Sequence, residues 1–270
     1  MNTFFMSANP SISLIFVNYR SARHLVAALE SLFSFEQASD SFEIIAVNND
    51  PAESAAFQAL KQIFPLLLIE SGENSGFSRG NNLGARQARG RILGFINPDV
   101  LWTGVHLQKI AQVFDKDTRI GVLGMTLLDT KRRPEAWSSG KEPSLTTLFL
   151  NNFFPARRAA RQEREPFFPD WVSGGALFIR KELFAEIGGF DERFFLYFED
   201  VDLCKEVRHR GFSVARHPEF SLIHLGGKSR ESRRLQKKYY ALSQREYFRK
   251  HRPKWEGAVL GFLQFFFRKG

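Results

Sequence analysis

Cysteine is almost absent from this 270-residue chain: Cys204 stands alone, so no internal disulfide can form, and the composition suits a reducing compartment. No stretch approaches the ~20 apolar residues that a membrane-spanning helix needs. The opening MNTFFMSANP has neither the basic start nor the apolar run of a secretory signal, so a cytoplasmic protein is expected. Two phosphate-binding signatures are missing as well. Asn74-Ser75-Gly76-Phe77-Ser78-Arg79-Gly80 spaces its glycines wrongly for G-x-G-x-x-G, which argues against a dinucleotide site. Gly227-Lys228-Ser229 imitates the end of a P-loop, but Leu222 occupies the position of the first glycine. Acidic residues are in deficit, 29 against 38 Lys and Arg, and the resulting charge of +9 calls for an anionic partner. Nucleic acid, an anionic membrane surface and a phosphorylated substrate all satisfy that demand.

What is present reads as one generous domain, 43% hydrophobic and 25% charged, with no convincing linker. Short β-rich runs alternate with helix-period runs over the first 125 residues. Strands are expected at 12–17, 43–47, 66–69, 92–96 and 120–124. Helices are expected from about Ser21 (Leu25, Leu29, Leu32 and Phe33 inward), around Phe57, Leu60 and Phe64, over 81–89, and around Leu107, Ile110 and Phe114. This alternation predicts a mostly parallel sheet with helices on both faces, whose ligands bind at the carboxyl ends of the strands. Residues 129–170, rich in Arg, Pro and Phe, read as a long irregular insertion, either a functional loop or a partly mobile segment. A short helix ending at Gly188-Gly189, a helix over 200–210, a strand pair at 212–216 and 220–225, and a basic, aromatic helical end complete the reading.

Two acidic positions stand out. Asp99, in Asn97-Pro98-Asp99, follows a buried strand where a nucleotide-linked phosphate would sit, and a hard divalent ion needs such an oxygen ligand; Asn-Pro-Asp is also an ordinary turn. Glu199-Asp200-Val201-Asp202 opens a helix, where acids serve as dipole-favoured caps. Here they follow the apolar Phe194-Phe195-Leu196-Tyr197-Phe198, surroundings that raise a carboxyl pKa toward that of a useful base. His224, before Gly226-Gly227, is a candidate metal ligand or a structural strand-end histidine.

The segments VNYRS at 17–21, NSGFSRGNNLG at 74–84, NPD at 97–99, WVSGGALFIRKELFAEIGGFDERFFLYFEDVDLCKEVRHRGF at 171–212 and HLGGKS at 224–229 fall in a recognisable order. The chain resembles the family 2 glycosyltransferases, especially their bacterial rhamnosyltransferase-like branch, over most of residues 11–230. The resemblance implies a GT-A (Rossmann-like) α/β fold: a nucleotide-sugar-binding half at 11–125, an acceptor-binding and catalytic half at 126–230, and a basic aromatic helical tail at 231–270. It implies an inverting displacement in which a sugar leaves a nucleotide diphosphate for a glycan or lipid-linked acceptor, dTDP-rhamnose being the favoured donor and UDP-sugars next. It assigns Asp200 as general base with Glu199 as the rival, and Asp99 and His224 to Mg²⁺ or Mn²⁺. Val17, Asn18, Tyr19, Asn48, Asn74, Gly76, Phe77, Asn82, Asn97 and Asp99 fall to the nucleotide sugar, and Trp171, Gly174, Gly175 and Asp202 to the sugars. Two departures matter: Asn48 stands where relatives carry a nucleobase-binding aspartate, and the metal motif holds one acid.

Two other readings compete, a basic nucleic-acid-binding protein and a non-catalytic sugar-nucleotide binder; no nucleic-acid partner is expected under the favoured one. At the C-terminus, Arg249-Lys250-His251-Arg252 and Lys254 precede an apolar run suited either to an interfacial helix on anionic lipid or to packing on the domain.

Overall fold

Ile12, Leu14 and Phe16 point to one side of β1 (Ile12–Asn18) and Ile15 and Val17 to the other, and each set meets a different layer of helices. The computed structural model describes residues 10–36, 41–136, 138–153, 166–226 and 233–266. β1 is joined by β2 (Phe42–Asn48), β3 (Leu67–Glu70), β4 (Ile92–Ile96), β5 (Val100–Leu101), β6 (Ile120–Leu128), β9 (Ala176–Arg180) and β10 (Ser213–His224) in a sheet of order β3-β2-β1-β4-β9-β6-β10-β5. β7 (Ser139–Gly140) and β8 (Trp171–Val172) pair separately.

The helices are α1 (Ala22–Phe33), α2 (Ser54–Ile63), α3 (Gly76–Gln87), α4 (Leu107–Lys116), α5 (Leu145–Phe153), α6 (Lys181–Ile187), α7 (Glu199–His209), α8 (Arg233–His251) and α9 (Lys254–Phe266). One face of the sheet is covered by α1, α2 and α4 through Leu25, Leu29, Leu32, Phe57, Leu60, Ile110 and Phe114. The other is covered by α3, α6 and α7 through Ala85, Leu183, Phe184, Leu203, Cys204 and Val207. Each fully buried Leu or Phe contributes about 1.5–3 kcal/mol relative to exposure. A third cluster joins Phe194, Phe198 and Val201 to Tyr247 and Phe248 of α8 and Leu260 of α9. The C-terminal helices therefore pack directly behind the turn that leads into α7.

Four departures from the sequence reading have physical causes. The sheet is mixed: β1–β2, β2–β3, β1–β4 and β6–β10 are parallel, but β9 runs antiparallel between β4 and β6. β9 has no polar alternation because both faces are buried, so it blends into α6. The expected strand pair at 212–225 is one long strand, β10, whose register against β6 breaks between Arg216 and Ser221. At the break Arg216 exchanges backbone hydrogen bonds with Phe167.

α3 starts at Gly76, five residues before the expected 81, because its polar residues bond inward and its glycines admit β1. A Cβ on Gly80 would lie 2.7 Å from Val17, and one on Gly84 2.5 Å from Ile15. The expected irregular segment at 129–170 contains a tight turn, β7 and α5, while residues 154–165 of it, like Gly227-Lys228-Ser229, lie outside the described residues.

Candidate active site

The carboxyl ends of β1, β2 and β4 carry a polar layer, as the fold class dictates. Asn18 and Asn48 are register partners and fully buried. Asn18 Nδ2 donates to Asn48 Oδ1 and to Glu53 Oε2, each at 2.9 Å, and Asn48 Nδ2 donates to Glu70 Oε2 at 2.8 Å. An aspartate at position 48 would set its carboxylate against that of Glu70, so asparagine is the residue this network accommodates. Asn49 clamps the next loop, donating to the Gly76 carbonyl at 2.9 Å and accepting from Ser75 Oγ at 3.1 Å. Asn74 Oδ1 accepts the Gly76 N–H at 3.2 Å. Gly76 has φ +81°, and a Cβ there would lie 2.6 Å from the Phe195 carbonyl oxygen; no other residue fits.

That contact ties the two halves together. Phe77 N–H donates to Phe195 O at 2.8 Å, and Ser78 Oγ donates to Phe194 O. Asn82 mimics a backbone partner for Phe190, accepting its N–H and donating to its carbonyl, both at 2.9 Å, and also donates to Glu192. Asn82, expected at the nucleotide, is thus committed to the 188–198 segment. Val17 packs beside Gly80, and Tyr19 is half-buried with the Arg20 guanidinium 5.0 Å from its ring centroid.

Asp99 and His224 are brought together by β5 and β10, which pair antiparallel with Val100 opposite His224. His224 Nε2 lies 3.3 Å from Asp99 Oδ2, and Nδ1 lies 3.0 Å from Glu135 Oε2. Burial opposes a charge on His224, but the Asp99 and Glu135 carboxylates override it and push the imidazole up to about 9. The imidazolium acts as the cation between two carboxylates. The donor set suits a hard or borderline divalent ion: an oxygen and an imidazole nitrogen 3.3 Å apart match adjacent ligands with bonds of about 2.1 Å. A second acidic group, Asp202, Glu206 and His251, is close enough to share an ion. There Lys250 Nζ already supplies the positive charge, 2.8 Å from Asp202 and 3.7 Å from Glu206.

Gly174-Gly175 connects the Asn97-Pro98-Asp99 turn to the start of α7. The Gly175 carbonyl accepts Asn97 N–H at 2.9 Å, and Gly174 N–H donates to Asp200 Oδ2 at 2.8 Å. Asp200 Oδ1 accepts Val201 N–H at 2.8 Å. A Cβ on Gly174 would touch both Asp200 Cβ and the Phe77 ring at 3.4 Å, so the carboxylate, the glycine pair and α3 converge. Burial raises the Asp200 pKa against these two N–H donors. Glu199 is raised further, by burial and then by the Asp200 charge, and its Oε2 is buried with no partner. The Gly174 and Val201 N–H groups favour the charged form of Asp200, whereas Glu199 Oε2 has no such donor and burial favours its neutral form. Tyr197 and Phe198, just before them, have φ of 72° and 67°, a strained pair costing about 1–3 kcal/mol each and held by packing against Tyr240 and Tyr247.

Asp202, expected at a sugar, is instead 3% exposed and paired with Lys250 and His251 of α8. Two positions along a helix is a turn of about 200°, which takes its side chain away from that of Asp200. Trp171 gives its indole N–H to the Lys141 carbonyl at 2.9 Å. Sequence reasoning missed Asn49, Glu135 and Phe195. The first two offered no spacing signal, and Phe195 acts through its backbone.

A mixed α/β sheet with acidic side chains gathered beyond its strand ends is the GT-A architecture, and solved structures share it. A mannosyltransferase, PcManGT from Pyrobaculum calidifontis, in complex with GDP-Man and Mn²⁺, aligns with TM-score 0.62 and 18% identity over 94% of this chain and 68% of its own. GalNAc-T7 with UDP, GalNAc and Mn²⁺ aligns with TM-score 0.64 and 13% identity over 90% and 48%. The chain belongs to glycosyltransferase family 2: the Glycosyl transferase family 2 profile matches residues 13–188. Curated relatives include the N-acetylglucosaminyl-diphospho-decaprenol L-rhamnosyltransferase of Mycobacterium tuberculosis, 26% identical over 79% of this chain and 75% of the relative. Rhamnosyltransferase WbbL of Escherichia coli K12 is 26% identical over 79% and 83%.

Proposed function

We propose that this glycosyltransferase is an inverting, metal-assisted enzyme that moves a sugar, rhamnose from dTDP-rhamnose before any UDP-sugar, onto a lipid-linked or cell-surface glycan acceptor. The observation that carries the reading is the convergence of Asp99–His224 and Asp200 through Gly174-Gly175 at the strand ends. Asp200 accepts the acceptor hydroxyl proton as that oxygen bonds to the anomeric carbon. The bond from that carbon to the diphosphate breaks, its electron pair leaving with the nucleotide. Asp99 and His224 are the residues to hold Mg²⁺ or Mn²⁺, which when bound would offset the charge gathering on the departing diphosphate. Val17, Tyr19, Asn97 and the segment from Asn74 to Phe77 that leads into α3 line the donor side. The names of the rhamnosyltransferase relatives support the donor and acceptor classes.

Binding at the inner face of a membrane suits such an acceptor, and α9 supports it. No helix among the described residues is long and apolar enough to span a bilayer. However, Trp255, Val259, Phe262 and Leu263 form an exposed stripe at helical spacing, with Trp255 62% and Phe262 63% accessible. Arg249 and Arg252 are paired with Glu246 and Glu256, and Lys250 and His251 with Asp202. The exposed Arg234, Lys237, Lys238 and Lys254 make no ion pair with a described residue and are among the charges available to anionic lipid.

A thermal-shift comparison tests the donor site, since only ligands of the native state raise Tm. dTDP or UDP with Mn²⁺ should stabilise the protein more than ADP or GDP, and Asp99→Asn should remove the Mn²⁺-dependent part. Equal shifts for all four nucleotides, or a full Mn²⁺ response in Asp99→Asn, would sink it.

A further inference from the structure

Glu135 has no role in the chemistry above, yet its backbone is fixed with unusual care. β6 ends at Leu128 in a tight turn organised by Asp129, whose Oδ1 accepts the N–H groups of Lys131 and Arg133, each at 2.9 Å. Arg132 takes the left-handed φ of 59° that the turn requires. The returning chain pairs Pro134 with Leu128, and Glu135 N–H donates to Leu127 O at 2.8 Å. On the far side, Ser138 gives both its N–H and its hydroxyl to the Glu135 carbonyl, at 3.2 and 2.9 Å. The side chain is thereby delivered to His224 Nδ1, with its carboxylate oxygens at 3.0 and 3.2 Å.

We propose that Glu135 is the positioning residue for the Asp99–His224 cation site, holding the His224 ring through Nδ1 so that Nε2, once a binding divalent ion displaces its proton, meets that ion beside Asp99. The inference rests on the reading of Asp99 and His224 as metal ligands. A neutral imidazole has one N–H and one lone pair. When the N–H is committed from Nδ1 to a carboxylate, the lone pair is on Nε2, the atom 3.3 Å from Asp99 Oδ2. The carboxylate also makes the imidazole a stronger donor toward a divalent ion, and losing such an outer partner costs 10–100-fold in metal affinity. Glu135 also resolves how a motif with a single acid assembles a cation site. The second carboxylate arrives through the histidine, from a different hairpin.

The experiment is a Mn²⁺ titration by electron paramagnetic resonance in the presence of dTDP, on wild type, Glu135→Ala and Glu135→Gln, with Tm measured on each. Wild type should bind Mn²⁺. Glu135→Ala should bind it roughly 10–100-fold more weakly, and Glu135→Gln, whose amide oxygen still accepts from Nδ1–H, should recover part of that loss. Folded Glu135→Ala or Glu135→Gln with wild-type Mn²⁺ affinity overturns the proposal. If Glu135→Ala does not fold, Glu135→Gln decides alone: weakened Mn²⁺ binding supports the proposal. Wild type that binds dTDP but no Mn²⁺ overturns the metal reading beneath it, a separate failure visible in the first arm.

Discussion

The Gly174 N–H donates to Asp200 Oδ2 at 2.8 Å, and this bond favours the charged form of Asp200 over that of its neighbour Glu199. Glu199 has no equivalent donor for its buried Oε2. Asp200→Asn keeps the shape and removes the base, so turnover should fall by about 10²–10⁴-fold while donor affinity stays. Glu199→Gln replaces a protonated acid with a neutral amide of the same size and should keep turnover within about tenfold. Steady-state kinetics with separate donor-binding measurements check both. The reverse pattern would move the base to Glu199.

Asn82 supplies both partners of the Phe190 backbone. Asn82→Ala leaves a buried N–H and a buried carbonyl unmet, which should cost roughly 1–3 kcal/mol and lower Tm by several degrees. An unchanged Tm would show that the two halves are held without this staple.

Glu142 gives a pH prediction. Burial works to raise its pKa, but Lys205 and Arg208 override it and bring it down to about 2. A depressed carboxylate stabilises the fold above its ordinary value of 4.5, and that contribution is lost as pH falls toward 2. Glu142→Gln also leaves the buried Lys205 without its carboxylate, so at pH 7 it should be destabilised by about 3 kcal/mol. The gap to wild type should narrow as pH drops through that window in denaturant titrations. A constant gap would contradict the assignment.

The α9 stripe is tested by substitution rather than truncation, because Leu260 of the same helix is in the core. Trp255→Ser with Val259→Ser should leave Tm within about a degree, as exposed positions do. Binding to anionic vesicles should fall at least tenfold, which sedimentation measures. Unchanged binding would remove the membrane from the account.

Much of this was legible in the sequence because burial leaves a period. Leu25, Leu29 and Leu32 announced α1, and the apolar run ending at Ile96 placed Asp99 at a strand end. β9 escaped because a strand buried on both faces has no alternation to read. α3 began early because Gly, Asn and Ser in 76–82 look like a loop until Phe190, Phe194 and Phe195 supply their partners. Asp202 and Asp200 differ only by the direction each side chain takes from one helix, and Lys250, 48 residues away, claims the former. Glu135 sits in a basic stretch whose local pattern says nothing of His224, since a turn and a long strand create that contact.

The most direct test is to follow dTDP-rhamnose by NMR with Mn²⁺ and a lipid-linked glycan acceptor, comparing wild type with Asp200→Asn. Both proteins should bind the donor if the base reading holds. Wild type should release one dTDP for each sugar transferred, with inverted anomeric configuration, and Asp200→Asn should transfer at least a hundredfold more slowly. Retention of configuration, or equal transfer by the two proteins, would contradict it.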